Sequence, residues 1–426
     1  MGWRCRPYGS DLQLFAMISY RREILDNGLT VLLHKDCNTP LVTVNTLFKV
    51  GARNEQPTLT GFAHLFEHLM FGGTKAVPDY DRVVNSLGGD SNAFTNNDYT
   101  NYYLTLPLEH LESALRIEAD RMRGLDLTQK ALSVQQKVVT EEYHQRYENQ
   151  PYGDVWMLLR PLCYRVHPYR WCTIGADIRH VQQATLADVR DFFECYYRPN
   201  NAIVAVVGNI DEEQTLRWID RYYGSIPAGK AVDCALEAEP EPDSPHLVEV
   251  ERDVPSNALY RAYLMCDYLH PDMFAFDAIS DILSNGDSTR LYRRLVKEQK
   301  LFTEVDACIT GERDRGLFLL SGKLCDGVDF LTAERAIEAE LADLDSLGQR
   351  ELQKVVSKFE STFVFSHYKA ADRAQSLCFY EYLGHTDWVN TLPSHYRQLT
   401  VDDLVRVAHS AFCPSRANTL RYRKKQ

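Results

Sequence analysis

The chain has 426 residues, 45% hydrophobic, 25% charged and 11% aromatic, a composition that excludes a disordered or fibrous protein. That length exceeds one ordinary core and predicts two domains of about 200 residues each. A formal net charge of −12 argues against nucleic acid as a partner, and no apolar run approaches the ~18 residues of a membrane span.

Eleven cysteines, odd in number and without a CxxC, predict reduced structural thiols and a cytoplasmic location. Met1–Ala16 lacks the long apolar core and cleavage site of a signal peptide. Met17 is the start expected, with the preceding residues read as an extension.

In chain order, Pro40 precedes an apolar strand, Leu41–Val50. Next comes His64-Leu65-Phe66-Glu67-His68, an HxxEH sequence, the reverse of the HExxH zinc-hydrolase signature. On a helix, His64 and His68 share one face one turn apart, where two imidazoles can hold one Zn²⁺. Glu67 lies near that face, placed to take a proton from a water that zinc acidifies to a pKa of about 7. Chance produces such a pentapeptide in fewer than about one shuffled chain in twenty, even with every acid counted as Glu. The flanks weigh against chance: Gly61-Phe62-Ala63 and Leu69-Met70-Phe71 are mostly apolar, and Gly72-Gly73-Thr74 gives a stop. Polar rings in an apolar helix cost free energy unless they are partnered.

Ser91–Thr95, the turn Asn96-Asn97-Asp98 and the alternating run Tyr99–Leu106 predict a β-hairpin. Thr128–Asn149 reads as a helix capped by Thr128 and carrying Glu141-Glu142. On its own, that pair suits a solvated face, with Glu142 paired to Arg146 four residues on. Thr185 opens a helix to Tyr197, followed by Pro199 and the strand Ala202–Val207. The acidic, proline-rich run Ala238–Pro245 reads as extended linker.

The second half repeats the first. Thr400 opens a helix to Phe412, followed by Pro414 and the strand Ala417–Tyr422, and Pro255 precedes the strand Ala258–Cys266. One offset of 215 residues superposes all of these on their first-half counterparts. It also sets Ile279 and Leu283, in a helical run Phe276–Leu283, opposite His64 and His68. The fold expected is α+β, with two duplicated α/β sandwich domains at 17–228 and 247–426 joined by a linker at 229–246. Only the first keeps metal-ligand side chains.

With Val138-Val139-Thr140-Glu141-Glu142 standing 74 residues past His68, the chain resembles the pitrilysin (insulinase) family of zinc peptidases. The resemblance covers nearly the whole chain, His64–Thr74, Ser91–Tyr103 and Arg198–Gly208 included. It implies one Zn²⁺ per chain on His64, His68 and Glu142, with Glu67 as general base. It also implies that Ser91–Thr95 is an exposed edge strand on which Asn92, Ala93 and Phe94 receive a peptide backbone. Many relatives carry an acid seven residues before the ligand acid, where this chain has Gln135, a change expected in the tuning of the metal. The family's second domain supplies an Arg and, seven residues on, a Tyr to the site. In register, Val296 and Thr303 stand there, with Arg293 and Arg294 nearby but offset.

The function expected is therefore a zinc endopeptidase that cuts short or unfolded peptides inside a closed dimeric chamber, like the family's half-size members. Its expected partners are a peptide substrate and either a homologous subunit bearing the Arg/Tyr pair or a second copy of the chain, with no nucleic acid and no membrane. A non-catalytic scaffold subunit and a zinc hydrolase of non-peptide bonds are the competing readings. The edge strand favours peptide.

Overall fold

The computed structural model describes residues 17–232 and 235–425; the extension expected at Met1–Ala16 lies outside them. Among the described residues, eleven strands form two sheets. The first contains β1 (Arg21–Ile24), β2 (Thr30–Lys35), β3 (Leu41–Phe48), β4 (Asp90–Thr95), β5 (Thr100–Pro107) and β6 (Ala202–Gly208), in the order β1-β2-β6-β3-β5-β4. The second contains β7 (His246–Arg252), β8 (Ala258–Leu264), β9 (Phe302–Ile309), β10 (Leu317–Leu324) and β11 (Asn418–Lys424), in the order β7-β11-β8-β10-β9.

Apart from β1, the second order repeats the first strand for strand, including the parallel pairs β2–β6 and β11–β7. Local chemistry repeats as well. Thr185 caps the helix Leu186–Tyr196 and Thr400 caps Val401–Ala411, each in a reciprocal box with an aspartate three residues on, Asp188 or Asp403. The helix Met273–Leu283 stands in the second half where the HxxEH helix stands in the first, and its Ile279 and Leu283 are fully buried. Aliphatic side chains there serve packing alone.

Each sheet is covered on one face by a helix from the other half. In β6, Ala202, Val204 and Val206 join the first-half core, while Ile203, Ala205 and Val207 join the second-half core, as the twofold alternation of a strand requires. That second face is covered by the helix Ala370–Leu383, which packs on β3 and β6. Reciprocally, the helix Val155–Cys163 packs on β8 and β11. Seven consecutive buried residues in β6 are the apolar run of a strand covered on both faces.

The two hairpin tips meet. Asn97 donates to the Glu312 carboxylate, and the Arg313 backbone N–H donates to Asp98 Oδ2 at 3.0 Å; both pairs are 215 residues apart. Equivalent positions of the duplicated halves therefore touch one another. Arg160 reaches Glu312 at 2.9 Å and Arg53 reaches Asp314 at 2.6 Å, which closes a largely buried polar network. The linker is also fastened: buried Glu239 accepts the backbone N–H groups of Arg165, Val166 and His167.

Candidate metal centre

The helix Phe62–Leu69 is built to bury one face. Phe66 stacks on Phe192 and on Tyr197, each at 5.0 Å between centroids, and Phe62, Ala63, Leu65 and Leu69 are buried with it. Gly61 begins the helix at φ +86°, where an added Cβ would stand 2.7 Å from the Ile174 carbonyl oxygen; only glycine fits that left-handed, crowded position. The Glu55 carboxylate accepts the first backbone N–H groups, from Gly61 and Ala63, at 2.8 Å each. These are donors that a helix start leaves without partners.

His64 and His68 project from this helix toward the helix Gln129–Tyr143, which carries Glu142. His64 Nε2 lies 3.4 Å from His68 Nε2 and 3.6 Å from Glu142 Oε2, and His68 Nε2 lies 3.3 Å from the same oxygen. Ligands about 2.0–2.1 Å from a tetrahedral zinc stand roughly 3.3–3.4 Å apart, so the three atoms already have the spacing of a zinc half-cage. Burial pushes His64 toward its neutral form. A hydrogen bond from His68 and the nearby Arg146 charge hold Glu142 below the usual carboxylate range despite its burial. A neutral imidazole and an ionised carboxylate are the protonation states a metal demands. His64 Nδ1 is buried without a hydrogen-bond partner, which leaves Nε2, facing the cluster, as that ring's functional nitrogen. Among the described residues, this is the only group of three or more His, Cys, Asp or Glu side chains spaced to hold a metal ion.

The Arg146 pairing expected of a solvated face is present too, at 2.9 Å to Glu142 Oε1. The two roles coexist because each uses a different carboxylate oxygen. Past Tyr143 the helix widens into a π-turn over His144–Glu148, so the regular helix ends before Asn149. Glu141 is exposed. Gln135, within that helix, is half-buried and makes no side-chain hydrogen bond among the described residues.

Among the described residues, β4 is one of the two edges of the first sheet, paired only to β5, and Asn92, Ala93 and Phe94 lie on it. Its last residue, Thr95, donates its hydroxyl to Glu67 Oε2 at 2.6 Å. Burial raises Glu67 above the usual carboxylate range, against that hydrogen bond. Thr95 and Glu55 are the residues contacting the candidate site and its helix that sequence reasoning missed. Thr95 stood in the hairpin motif with no pattern tying it to Glu67, and Glu55 lies in a non-periodic stretch that carries no signal at all.

In the second half, Val296 packs half-buried against the core and Thr303 sits exposed on β9, its hydroxyl donating to the Lys323 carbonyl at 3.2 Å. Arg294 is committed to Glu340 at 2.9 Å and to Asp343 at 2.5 Å. Arg293 is exposed, 3.7 Å from Glu298.

Residues 30–169 match the family model for insulinase (peptidase family M16), and residues 183–359 match the model for the M16 inactive domain. The zinc protease PqqE of Helicobacter pylori is 31% identical over 407 residues, covering 93% of this chain and 91% of that one. The chain belongs to the M16 peptidase family. A crystal structure of a protease from Helicobacter pylori superposes with a TM-score of 0.90 at 28% identity, over 95% of this chain and all of that one. The mitochondrial-processing peptidase subunit beta of Saccharomyces cerevisiae is 25% identical over 277 residues, 63% of this chain and 58% of its own length. The M16 assignment gives the apolar Ile279 and Leu283 their meaning: they lie in the stretch matched by the inactive-domain model. No helix among the described residues is long and apolar enough to cross a membrane.

Proposed function

We propose that this M16 chain is a zinc-dependent endopeptidase acting on short or unfolded peptides, with His64, His68 and Glu142 holding one zinc and Glu67 as the general base. The single observation that carries the reading is the 3.3–3.6 Å spacing of the three ligand atoms. Zinc, when bound, supplies Lewis-acid polarisation of a carbonyl and acidification of water.

The protein's own groups do the rest. The edge of β4 takes the peptide backbone by strand addition, with main-chain hydrogen bonds from Asn92–Phe94 fixing its register. Glu67 accepts a proton from the attacking water and returns it to the departing amine. Its raised proton affinity suits a group that must hold that proton between the two transfers. Thr95 fixes the carboxylate by its Oε2, leaving Oε1 for proton traffic.

The missing Arg/Tyr pair supports a two-chain assembly. Val296 and Thr303 offer no cation and no phenol, and Arg294 is consumed by Glu340 and Asp343. A homologous partner bearing both residues would complete the transition-state contacts across a shared chamber, and a homodimer relying on Arg293 is the weaker alternative. The buried free thiols Cys163, Cys172 and Cys378 favour a reducing compartment, the cytoplasm.

The test is metal stoichiometry with function. The purified protein should hold one zinc per chain, lose peptide hydrolysis to a chelator and regain it on zinc addition. Undiminished hydrolysis by metal-free protein would overturn the proposal.

A further inference from the structure

The fold buries the tip of the hairpin between β4 and β5. Hairpin tips ordinarily stand in solvent as the mobile end of the element, yet Asn97 is 6% exposed and Asp98 7%. Two segments grip the tip. From the first half, the Ala52 and Arg53 backbone N–H groups donate to the Asn96 and Asn97 carbonyl oxygens at 3.2 Å and 2.8 Å. Gly51 stands so close that an added Cβ would lie 2.6 Å from the same two oxygens. From the second half comes the loop between β9 and β10. Its Glu312 accepts from the Asn97 side-chain amide, and the Arg313 backbone N–H donates to Asp98 Oδ2 at 3.0 Å.

Glu312 is itself fixed. Arg160 donates to it at 2.9 Å, Thr310 at 2.9 Å and the Tyr164 hydroxyl at 3.4 Å. A buried carboxylate partnered on both oxygens in this way specifies one geometry.

What the grip controls lies two residues up the chain. Thr95 ends β4 and donates to Glu67 Oε2 at 2.6 Å. Among the described residues β4 pairs with β5 alone, so no strand on its other side fixes its end against the HxxEH helix. The tip does so instead. A displacement there passes through two peptide units to the carboxylate, and misplacing a catalytic group by ~1 Å can cost ~10²-fold in rate.

We propose that Glu312 is a positioning residue for Glu67: through Asn97 it holds the hairpin tip, and the tip holds Thr95 on the Glu67 carboxylate. The proposal rests on the peptidase reading above. It gives the half without metal ligands a part in setting the base.

The test is Asn97→Asp, which sets a second carboxylate against Glu312, and the same change combined with Glu312→Gln, which rebuilds an amide–carboxylate pair of unchanged net charge beside Arg160. These proteins, the wild type and Thr95→Val are compared in zinc content, melting temperature and steady-state hydrolysis of an unstructured peptide. Asn97→Asp should lower kcat about tenfold or more with a far smaller change in KM, and the exchanged pair should recover most of the loss. In the Thr95→Val background Asn97→Asp should cost no further kcat, because the contact it disturbs is already gone. Wild-type kcat in folded Asn97→Asp, a loss undiminished in the Thr95→Val background, or an exchanged pair as slow as the single variant would each overturn the proposal. A clamp that merely joined the halves would lower the melting temperature and leave kcat alone. If Asn97→Asp does not fold, Asn97→Ala removes the donor without adding a charge and is read in the same way. If the wild type hydrolyses no peptide, the peptidase reading fails separately. Crystal structures then decide the positioning: a Thr95–Glu67 contact opened in the folded variant supports it, and an intact contact rejects it.

Discussion

Replacing Thr95 by Val keeps the shape of β4 and removes one hydrogen bond, the 2.6 Å contact from Oγ1 to Glu67 Oε2. Hydrogen bonds to charged groups are worth about 1.5–3 kcal/mol. Glu67 must be charged to accept a proton, and freed from Thr95 its carboxylate can turn away from the metal ligands. At 1.4 kcal/mol per tenfold, kcat should fall about tenfold to a hundredfold. KM should change far less, because the β4 backbone proposed to receive the peptide is untouched. The hydrogen bond favours the ionised carboxylate, so its loss raises the proton affinity of Glu67. A base works only when ionised, so the acid limb of the kcat/KM profile should move to higher pH. Thr95→Ser should restore both the rate and the limb. The assay is steady-state peptide hydrolysis across pH with zinc content measured in parallel. Wild-type kcat in the valine variant, or a serine variant as slow as valine with zinc intact, would refute this role.

Other parts of the structure give further expectations. Glu142→Gln should lower zinc affinity by more than the ~10–100-fold that partners outside the ligand shell contribute, while Glu141→Gln should leave it unchanged; the reverse order in metal titrations would shift the ligand by one residue. Glu55→Ala should leave the Gly61 and Ala63 N–H groups buried without acceptors, a loss of about 1–3 kcal/mol for each, and an unchanged thermal melt would contradict it. Asp36 accepts from the Asn38 backbone and from Arg373 on the helix Ala370–Leu383; burial opposes these contacts, yet its pKa lies below the ordinary 3.8. A depressed acid stabilises the fold above that ordinary value and ceases to do so as pH falls through its own lower one. Between pH 5 and about 3, Arg373→Met should therefore lose less stability than wild type in thermal melts, and parallel curves would oppose this. Mixing the chain with a homologous subunit that carries the Arg/Tyr pair should raise peptidase activity, whereas full activity from the lone chain, unchanged by any partner, would end the heterodimer proposal.

The HxxEH helix, the β4–β5 hairpin and the 215-residue repeat were legible because each is local or periodic. Two histidines one turn apart and an Asn-rich turn announce themselves within a dozen residues, and the paired caps at Thr185 and Thr400 fix an offset without any three-dimensional information. The exchange of covering helices was not legible. Periodicity shows that Ala370–Leu383 and Val155–Cys163 have faces to bury, but not that each buries its face on the other half's sheet. Thr95 and Glu55 escaped for a related reason: each acts through one side-chain contact made by folding, and a single threonine or glutamate leaves no pattern. The meeting of Asn97 with Glu312 and of Asp98 with Arg313 was latent in the offset, since 215 residues separate both pairs. Nothing in the sequence says that equivalent tips touch rather than point apart.

The central claim, that the cluster on the HxxEH helix is a hydrolytic zinc centre driven by Glu67, is tested most directly by Glu67→Gln. Zinc content and hydrolysis of an unstructured peptide are measured on the same samples, in whichever assembly is active. The prediction is one zinc per chain in both proteins, with hydrolysis lowered in the variant by the ~10²–10⁴-fold that general-base catalysis contributes. A zinc-loaded variant that cleaves at close to the wild-type rate would contradict it.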